Sequence, residues 1–335
     1  MVRFAGGGHA AAHPGTPVLA DELAGAIGRA CDQAGLTGVR RAACPLYLAV
    51  HGDPELPRVP EHERAAHGAD TFAGTVARRG GLSGVARAYT SACVASSTAV
   101  ADAAALIARG RAERVVVAAG YLVDADQSAV FAAGRALAGD GRVRPFSAGR
   151  SGLLLGDAVV TVLVESAAAA AQRRARPLAR LAGWGRAGDA YHVCKPRPDG
   201  AGLARAITDA LRRAGLGPAD VGYVNAHGSG SPAGDAAESA ALHRAFGDAA
   251  ESVPVSSTKS VHGQALEAGA LLELVLTIAA LRAGQLPVNA GYLGPDPDCR
   301  LGLVLDRPAP ATSAYGLSLT SAFGGANTAL LVGTP

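Results

Sequence analysis

Apolar runs of strand length alternate with stretches of helical period along the whole chain. That alternation is the pattern of an α/β protein. In the first half, residues 1–5, 44–50, 86–92, 114–119 and 159–165 read as strands. Residues 19–34 read as a helix ending at Gly35, and residues 94–109 as a second helix stopped by Gly110. The second half repeats the scheme. Residues 178–184 are strand-like, and Leu203, Ala204, Ile207, Ala210, Leu211 and Ala214 then form an apolar stripe opposite Arg205, Asp209 and Arg212. Residues 221–226 enter a Gly-rich turn as a strand. A long apolar helix begins near Ala268, and residues 303–305 and 329–332 read as closing strands. Two αβ-rich halves without identical repeats suggest an internal duplication, divided at residues 1–167 and 168–335. The Ala/Gln/Arg-rich residues 167–176 read either as a mobile connector or as one exposed helix.

Composition narrows the class. With 335 residues, 49% hydrophobic and 18% charged, the chain can bury a large core. A net charge of +3 leaves no nucleic-acid footprint. The most apolar stretch, residues 268–281, carries Glu273 and is too short to span a bilayer. No basic-then-apolar leader opens the sequence. Cys31, Cys44, Cys93, Cys194 and Cys299 are scattered without CxxC spacing, which argues against a disulfide framework or a zinc site. The expectation is a reduced, cytoplasmic protein with no metal, no membrane segment and no nucleic-acid partner.

Four segments carry candidate chemistry. In Thr90-Ser91-Ala92-Cys93-Val94-Ala95-Ser96-Ser97 a strand ends at a cysteine and a helix begins at once. The field of a helix N-terminus favours thiolate there, and the turn aims N–H groups at whatever the sulfur carries. A buried structural cysteine is the other reading. In Asn225-Ala226-His227-Gly228-Ser229-Gly230-Ser231, followed by Asp235 and Glu238, a strand-end histidine is either an acid, base or donor, or a satisfied loop residue. Ser257-Thr258-Lys259-Ser260-Val261-His262-Gly263-Gln264 precedes the long apolar helix. Only Lys195 and Lys259 are lysines among 31 basic residues, so Lys259 marks either a site needing a compact ammonium or a coincidence. Ser321-Ala322-Phe323-Gly324-Gly325-Ala326-Asn327 suits a tight loop near a ligand. Gly6-Gly7-Gly8 completes no phosphate-loop pattern and reads as a turn.

Taken in order, these segments resemble the elongating β-ketoacyl-ACP synthases and type II polyketide ketosynthases. Further matching stretches are Ala136-Leu137-Ala138-Gly139-Asp140-Gly141-Arg142-Val143-Arg144-Pro145-Phe146, and Asp189-Ala190-Tyr191-His192 with Pro196, Asp199 and Gly200. The resemblance runs from about Arg87 to Val332. It implies the thiolase fold, with duplicated βαβαβ halves in α-β-α-β-α layers, and a dimer. It implies that Cys93 takes an acyl group from a phosphopantetheine thioester, that the N–H groups of Cys93 and Phe323 form the oxyanion hole, and that His227 assists the second thioester. Lys259 and Glu273, with Asp235 and Glu238, would hold a polar network. Ser229 and Ser231 would touch the pantetheine arm, Phe323 would gate the sulfur, and Phe131 would line the pocket. No bound cofactor is implied. The partners would be an acyl carrier protein and, as homodimer or heterodimer, another ketosynthase-like subunit. Arg173, Arg174 and Arg176 are a carrier-docking run or a solvated face.

Three departures stand out. The family's Lys-Ser/Ala-x-x-Gly-His reads Lys259-Ser260-Val261-His262-Gly263-Gln264, so Gln264 replaces the second catalytic histidine. His262, two positions earlier, is a candidate substrate contact. The region before Cys93 is shorter than in relatives, so the dimer surface, substrate cap and entrance are expected to differ. Ser147 replaces the usual aspartate after Arg-Pro-Phe, and the glycines after Gly156-Asp157 are absent. Three readings follow: decarboxylative condensation with a His–amide pair, acyl transfer to another thiol, amine or alcohol, and a chain-length-factor-like partner role. Known chain-length factors lack the active cysteine, whereas Cys93 and His227 are both present here.

Overall fold

The computed structural model describes residues 18–335. The strand expected at residues 1–5 and the turn at Gly6-Gly7-Gly8 lie outside the described residues. The first half runs α1 (Leu19–Gln33), α2 (Gly38–Ala42), β1 (Leu46–Ala49), α3 (Ala69–Arg79), β2 (Ala86–Tyr89), α4 (Ala95–Ala108), β3 (Arg114–Tyr121), α5 (Ala125–Ala133) and β4 (Ala158–Glu165). The second half runs α6 (Ala167–Gln172), β5 (Arg180–Gly188), α7 (Ala201–Ala214), β6 (Val221–Asn225), α8 (Pro232–Phe246), β7 (Val255–Ser256), α9 (Lys259–His262), α10 (Leu266–Ala283), β8 (Gln285–Leu286), β9 (Ala309–Pro310), β10 (Tyr315–Ala322) and β11 (Ala326–Gly333).

The first sheet has the order β2-β1-β3-β4. There β1 is parallel to both β2 and β3, and β4 returns antiparallel to β3. The second sheet has the order β7-β6-β10-β11-β5. There β6 is parallel to β7 and β10, and β11 is antiparallel to β10 and β5. The parallel, parallel, antiparallel series of the first sheet thus recurs in the second, which is the duplication expected from the alternating pattern.

Burial sorts the helices into layers. On α1 and α3 one stripe is buried, with Leu23, Ile27, Phe72 and Val76 packing on Leu46, Leu48 and Val116 of the first sheet. On α7, Leu203, Ile207 and Leu211 pack with Leu242 of α8 on Val224, Leu317 and Leu331 of the second sheet. By contrast, α10 is apolar nearly all round, as a helix covered on every side must be. It lies with α4 between the sheets, where Ala99, Val100, Ala103, Leu271 and Leu272 meet Val115, Val117, Leu330 and Val332. The result is the expected α-β-α-β-α order, and it brings the N-termini of α4 and α10 together.

Several expectations change. Residues 303–305 form no strand. They touch β7 through one bridge, Leu303–Val255, because Asp306 turns the chain at φ 60° and Pro308 offers no N–H. The pattern missed β10, whose Leu317 and Leu319 alternate with Ser318 and Thr320, all buried within the sheet. It also missed α3, α5 and α8. Residues 167–176 hold the short α6, capped by Ser166 and with Ala169 and Ala170 buried, so they are neither a free linker nor a wholly exposed helix. Arg173 is folded onto Glu165 and the Ala34 carbonyl, which removes it from any free docking run. Among the described residues no helix is long and apolar enough to cross a membrane, and no cluster of His, Cys, Asp and Glu could hold a metal ion.

Candidate active site

Cys93 sits in a 3₁₀ turn, Ala92–Val94, between β2 and α4. The preceding Ala92 has φ 49°, a left-handed conformation that a β-carbon disfavours and that marks a tight strand-to-helix reversal. The next residues fix the turn to the other half. Ser96 Oγ accepts the Leu271 N–H of α10 at 3.0 Å, and the Ser97 hydroxyl pairs with that of Thr328 on β11 at 2.7 Å. Burial pushes the Cys93 thiol up to about 12, with Glu267 adding to the rise and Lys259 opposing it. Desolvation and the Glu267 charge thus oppose the thiolate that a helix N-terminus is expected to favour.

Gln264 reaches this sulfur. Its Nε2 donates to Cys93 Sγ at 3.4 Å, and the residue is buried. Backbone pairing holds it there, since Gln264 N donates to Leu154 O at 2.7 Å and Gly156 N donates to Gln264 O at 3.1 Å. A β-carbon at Gly156 would lie 2.0 Å from the His262 carbonyl oxygen, so only glycine allows this approach. His262 is held within its own turn. Its Nε2 faces Thr258 Oγ1 at 2.9 Å and its Nδ1 faces the Gly263 carbonyl at 2.7 Å. Both ring nitrogens are thereby used within its own turn, and burial pushes its pKa down to about 4. It does not stand in for the missing histidine.

The His227 loop is held from α8. Glu238 takes the His227 N–H on one carboxyl oxygen and the Gly228 N–H on the other, each at 2.7 Å. Asp235 takes the N–H groups of Phe146 and Gly230 and lies 3.7 Å from Arg150. Burial raises both carboxyl groups to about 7 against the pull of these donors. Ser257 Oγ donates to the Gly228 carbonyl at 2.9 Å, closing the loop from the other side. The imidazole pKa is pushed well below its ordinary range, first by burial and then by Lys259, and its Nδ1 is buried with no partner. His227 is therefore neutral and can present an N–H.

Lys259 is buried in an ion pair with Glu273, on the first position of α9 and mid-way along α10. Burial raises the Glu273 pKa and Lys259 lowers it. Ser229 and Ser231 pair through their hydroxyls at 2.9 Å. Phe323 occupies the turn between β10 and β11, 57% exposed, and stacks on Phe131 with centroids 6.3 Å apart. Phe131 and Cys93 flank the same central core. The Phe-Gly-Gly loop is tied to the Asp189 segment: Gly324 N donates to Val193 O, Asp189 N donates to Gly325 O, and Asn327 Nδ2 donates to Asp189 Oδ1. At the Arg-Pro-Phe departure, Ser147 Oγ accepts the Leu293 N–H at 2.8 Å.

A pair of residues in contact across the fold went unmarked in the sequence. Glu267, in the first turn of α10, is buried and lies 3.1 Å from Nδ1 of His51. An acidic residue opening an apolar helix usually reads as dipole compensation, and His51 sits 216 residues away from it in the chain.

Comparison with known proteins identifies the family. Residues 53–170 match the N-terminal domain, and residues 178–292 the C-terminal domain, of β-ketoacyl synthase. The chain is 39% identical over 256 residues to Nodulation protein E of Rhizobium meliloti, covering 75% of this chain and 62% of that protein. It is 33% identical over 268 residues to 3-oxoacyl-[acyl-carrier-protein] synthase 2 of Staphylococcus aureus, covering 78% of this chain and 66% of that one. It therefore spans somewhat under two thirds of these relatives' length. Among solved structures, a type II polyketide ketosynthase in complex with its acyl carrier protein superposes with TM-score 0.88 at 25% identity, over 95% of this chain and 85% of that one. The family models, the sequence relatives and the fold together place the chain in the β-ketoacyl synthase family of the thiolase superfamily.

Proposed function

We propose that the protein transfers an acyl group through Cys93 and condenses it with a malonyl thioester, in fatty-acid or polyketide-type biosynthesis. The observation that carries this reading is the Gln264 amide donating to Cys93 Sγ at 3.4 Å. It puts an N–H donor at the sulfur where the family carries a histidine. In the first step the Cys93 sulfur attacks the acyl carbonyl carbon. The oxyanion accepts the N–H groups of Cys93 and Phe323, and the pantetheine sulfur leaves with a proton. In the second step the malonyl thioester loses CO₂, and its electron pair moves onto the thioester oxygen as an enolate. His227 and Gln264 each donate a hydrogen bond to that oxygen. The enolate carbon then attacks the acyl-cysteine and expels the Cys93 sulfur. Losing one such donor costs about 2.7–4 kcal/mol, and an amide retains much of that contribution.

Ser229 and Ser231 contact the pantetheine arm in this scheme, and the stacked Phe131 and Phe323 gate the sulfur. The phosphopantetheine arm of an acyl carrier protein is the substrate carrier and no bound cofactor takes part. The acyl carrier protein is one partner. A second ketosynthase-like subunit, identical or different, is the other. The described residues 18–167 and 168–335 form the two thiolase-like halves. A second reading has a specific basis: glutamine cannot shuttle a proton, which favours acyl transfer to a thiol, amine or alcohol without condensation.

Intact-protein mass spectrometry tests both. Acyl-carrier donors acylate the wild type and leave Cys93→Ala unmodified. Acylation that persists in Cys93→Ala refutes the nucleophile. Malonyl carrier added to the acyl-enzyme gives CO₂ and a β-ketoacyl product if condensation holds, and Gln264→His raises that yield. Acylation without either product supports the second reading. A chain that never acylates but co-purifies with an active ketosynthase is instead a chain-length-factor-like partner.

A further inference from the structure

Four large apolar side chains left in water belong to segments that meet at the Phe323 turn. Val130 is 67%, Tyr191 55%, Val193 72% and Phe323 itself 57% exposed. Phe131 of α5 stacks on Phe323, with Val130 beside it on the helix. Ala136 N donates to Phe131 O at 3.0 Å, which closes a turn around the exposed Arg135. From the other side, Gly324 N donates to Val193 O at 2.7 Å. That bond seats Tyr191-His192-Val193-Cys194-Lys195, five consecutive exposed residues, against the Phe323 turn. The segment has a defined shape, because His192 Nδ1 accepts the N–H groups of Cys194 at 3.0 Å and Lys195 at 3.1 Å. Strand β10, which ends just before Phe323, packs against the 3₁₀ turn that holds Cys93, so the patch adjoins the reactive sulfur's own turn.

Apolar side chains left in water forgo the gain of burial, and several gathered at one place mark an interaction surface. Lys195 and Arg135 border this one, and neither pairs with a carboxylate among the described residues. Arg197, two positions after Lys195, is by contrast bound to Asp199 at 2.7 Å. The acidic residues of α5, Asp124 and Asp126, lie at its opposite end. The patch is therefore apolar with a cationic edge, which fits a partner that is apolar with an anionic edge. A second ketosynthase-like subunit seated here would cover Phe323 and shut the gate. A carrier has to sit here to pass its arm beneath that ring.

We propose that this patch is the docking surface for the acyl carrier protein. Val130, Tyr191 and Val193 receive its apolar contacts, and Arg135 and Lys195 take the phosphodiester of its pantetheine arm and the acidic side chains beside it. The proposal rests on the acyl-transfer reading above and adds which part of the molecule the carrier touches. It assigns docking away from Arg173, Arg174 and Arg176, where Arg173 is already committed to Glu165.

Two acyl donors separate docking from chemistry: an acyl carrier protein, and the same acyl group on N-acetylcysteamine, which brings neither protein nor phosphate. Intact-protein mass spectrometry follows the acylation of Cys93 by each. Val193 joins the Phe323 turn through its backbone carbonyl, so Val193→Asp keeps that bond while changing the surface. At low carrier concentration, Val193→Asp and Lys195→Glu each slow acylation by the carrier about three- to tenfold, and Arg135→Glu combined with Lys195→Glu slows it further. Acylation by the small thioester changes by less than about twofold. Added salt slows the carrier reaction of the wild type, and the double charge reversal loses most of that dependence. If the two donors slow together, the variants disturb the site itself, and if neither slows, the carrier docks elsewhere. A wild type acylated by the small donor alone, or a Val193→Asp that alters oligomeric state in sedimentation with an unchanged carrier rate, gives the patch to another partner. Each of these results overturns the docking surface while leaving acyl transfer standing. A wild type acylated by neither donor overturns the acyl-transfer reading itself, and the docking surface with it.

Discussion

The buried Lys259–Glu273 pair gives a prediction in which stability and chemistry separate. Lys259 is 2% exposed and Glu273 fully buried. Replacing Glu273 by leucine leaves an ammonium in the core without its counter-charge, and breaking such a pair from one side costs about 3–5 kcal/mol. The backbone carbonyl of Glu273 still accepts Asn225 Nδ2 and Thr277 Oγ1, so the loss is confined to the ion pair. At about 1.4 °C per kcal/mol for a chain of 335 residues, the midpoint of thermal unfolding falls by about 4–7 °C. The double variant Lys259→Met, Glu273→Leu removes both charges and recovers most of that stability, as apolar replacements of buried pairs do. It does not recover function, because Lys259 is one of the two causes that hold His227 neutral. The double variant therefore folds with a His227 that titrates closer to its ordinary range. Urea unfolding followed by far-UV circular dichroism gives the stabilities, and NMR of the imidazole gives the titration. A single variant costing under about 1 kcal/mol, or a double variant as unstable as the single, refutes the picture of a tightly coupled buried pair.

Two further outcomes follow from the site. Folded His262 resists protonation until about 4, whereas the unfolded residue takes a proton below about 6.5. The unfolded state thus binds more protons between these values, so this contribution is intact above that window and is lost as pH falls through it. Relative to His262→Gln, the wild type loses up to about 3 kcal/mol on acidification, measured by urea titrations at stepped pH. A pH-independent difference refutes the buried neutral histidine. Phe323→Ala removes a mostly exposed ring whose stacking is worth about 0.5–1.5 kcal/mol, so stability falls little while Cys93 alkylates faster. An unchanged alkylation rate refutes the gate.

The sequence by itself determined the fold class, most of the elements and the residue types at the site. Periodicity is a local property. It marked α1, α4, α7 and α10 and the strands β1 to β6 and β11 because each is set by which side of its own backbone meets the core. Cys93, His227, Lys259 and the Phe323 loop each end a strand or open a helix beside turn residues, and the family resemblance of these segments in order singled them out as site candidates. Closing strand β10 was missed because its serines and threonines are buried along with its leucines, so the polar positions gave no exposed face to read. The tertiary structure decided what the local pattern cannot carry. It turned His262 into its own loop, placed the Gln264 amide on the sulfur, and surrounded Cys93 with burial and charge that oppose the thiolate a helix terminus favours. It also joined His51 to Glu267 across 216 residues. The physical reason is that desolvation and Coulomb interaction depend on distance in space, and the stacking of two duplicated halves sets those distances.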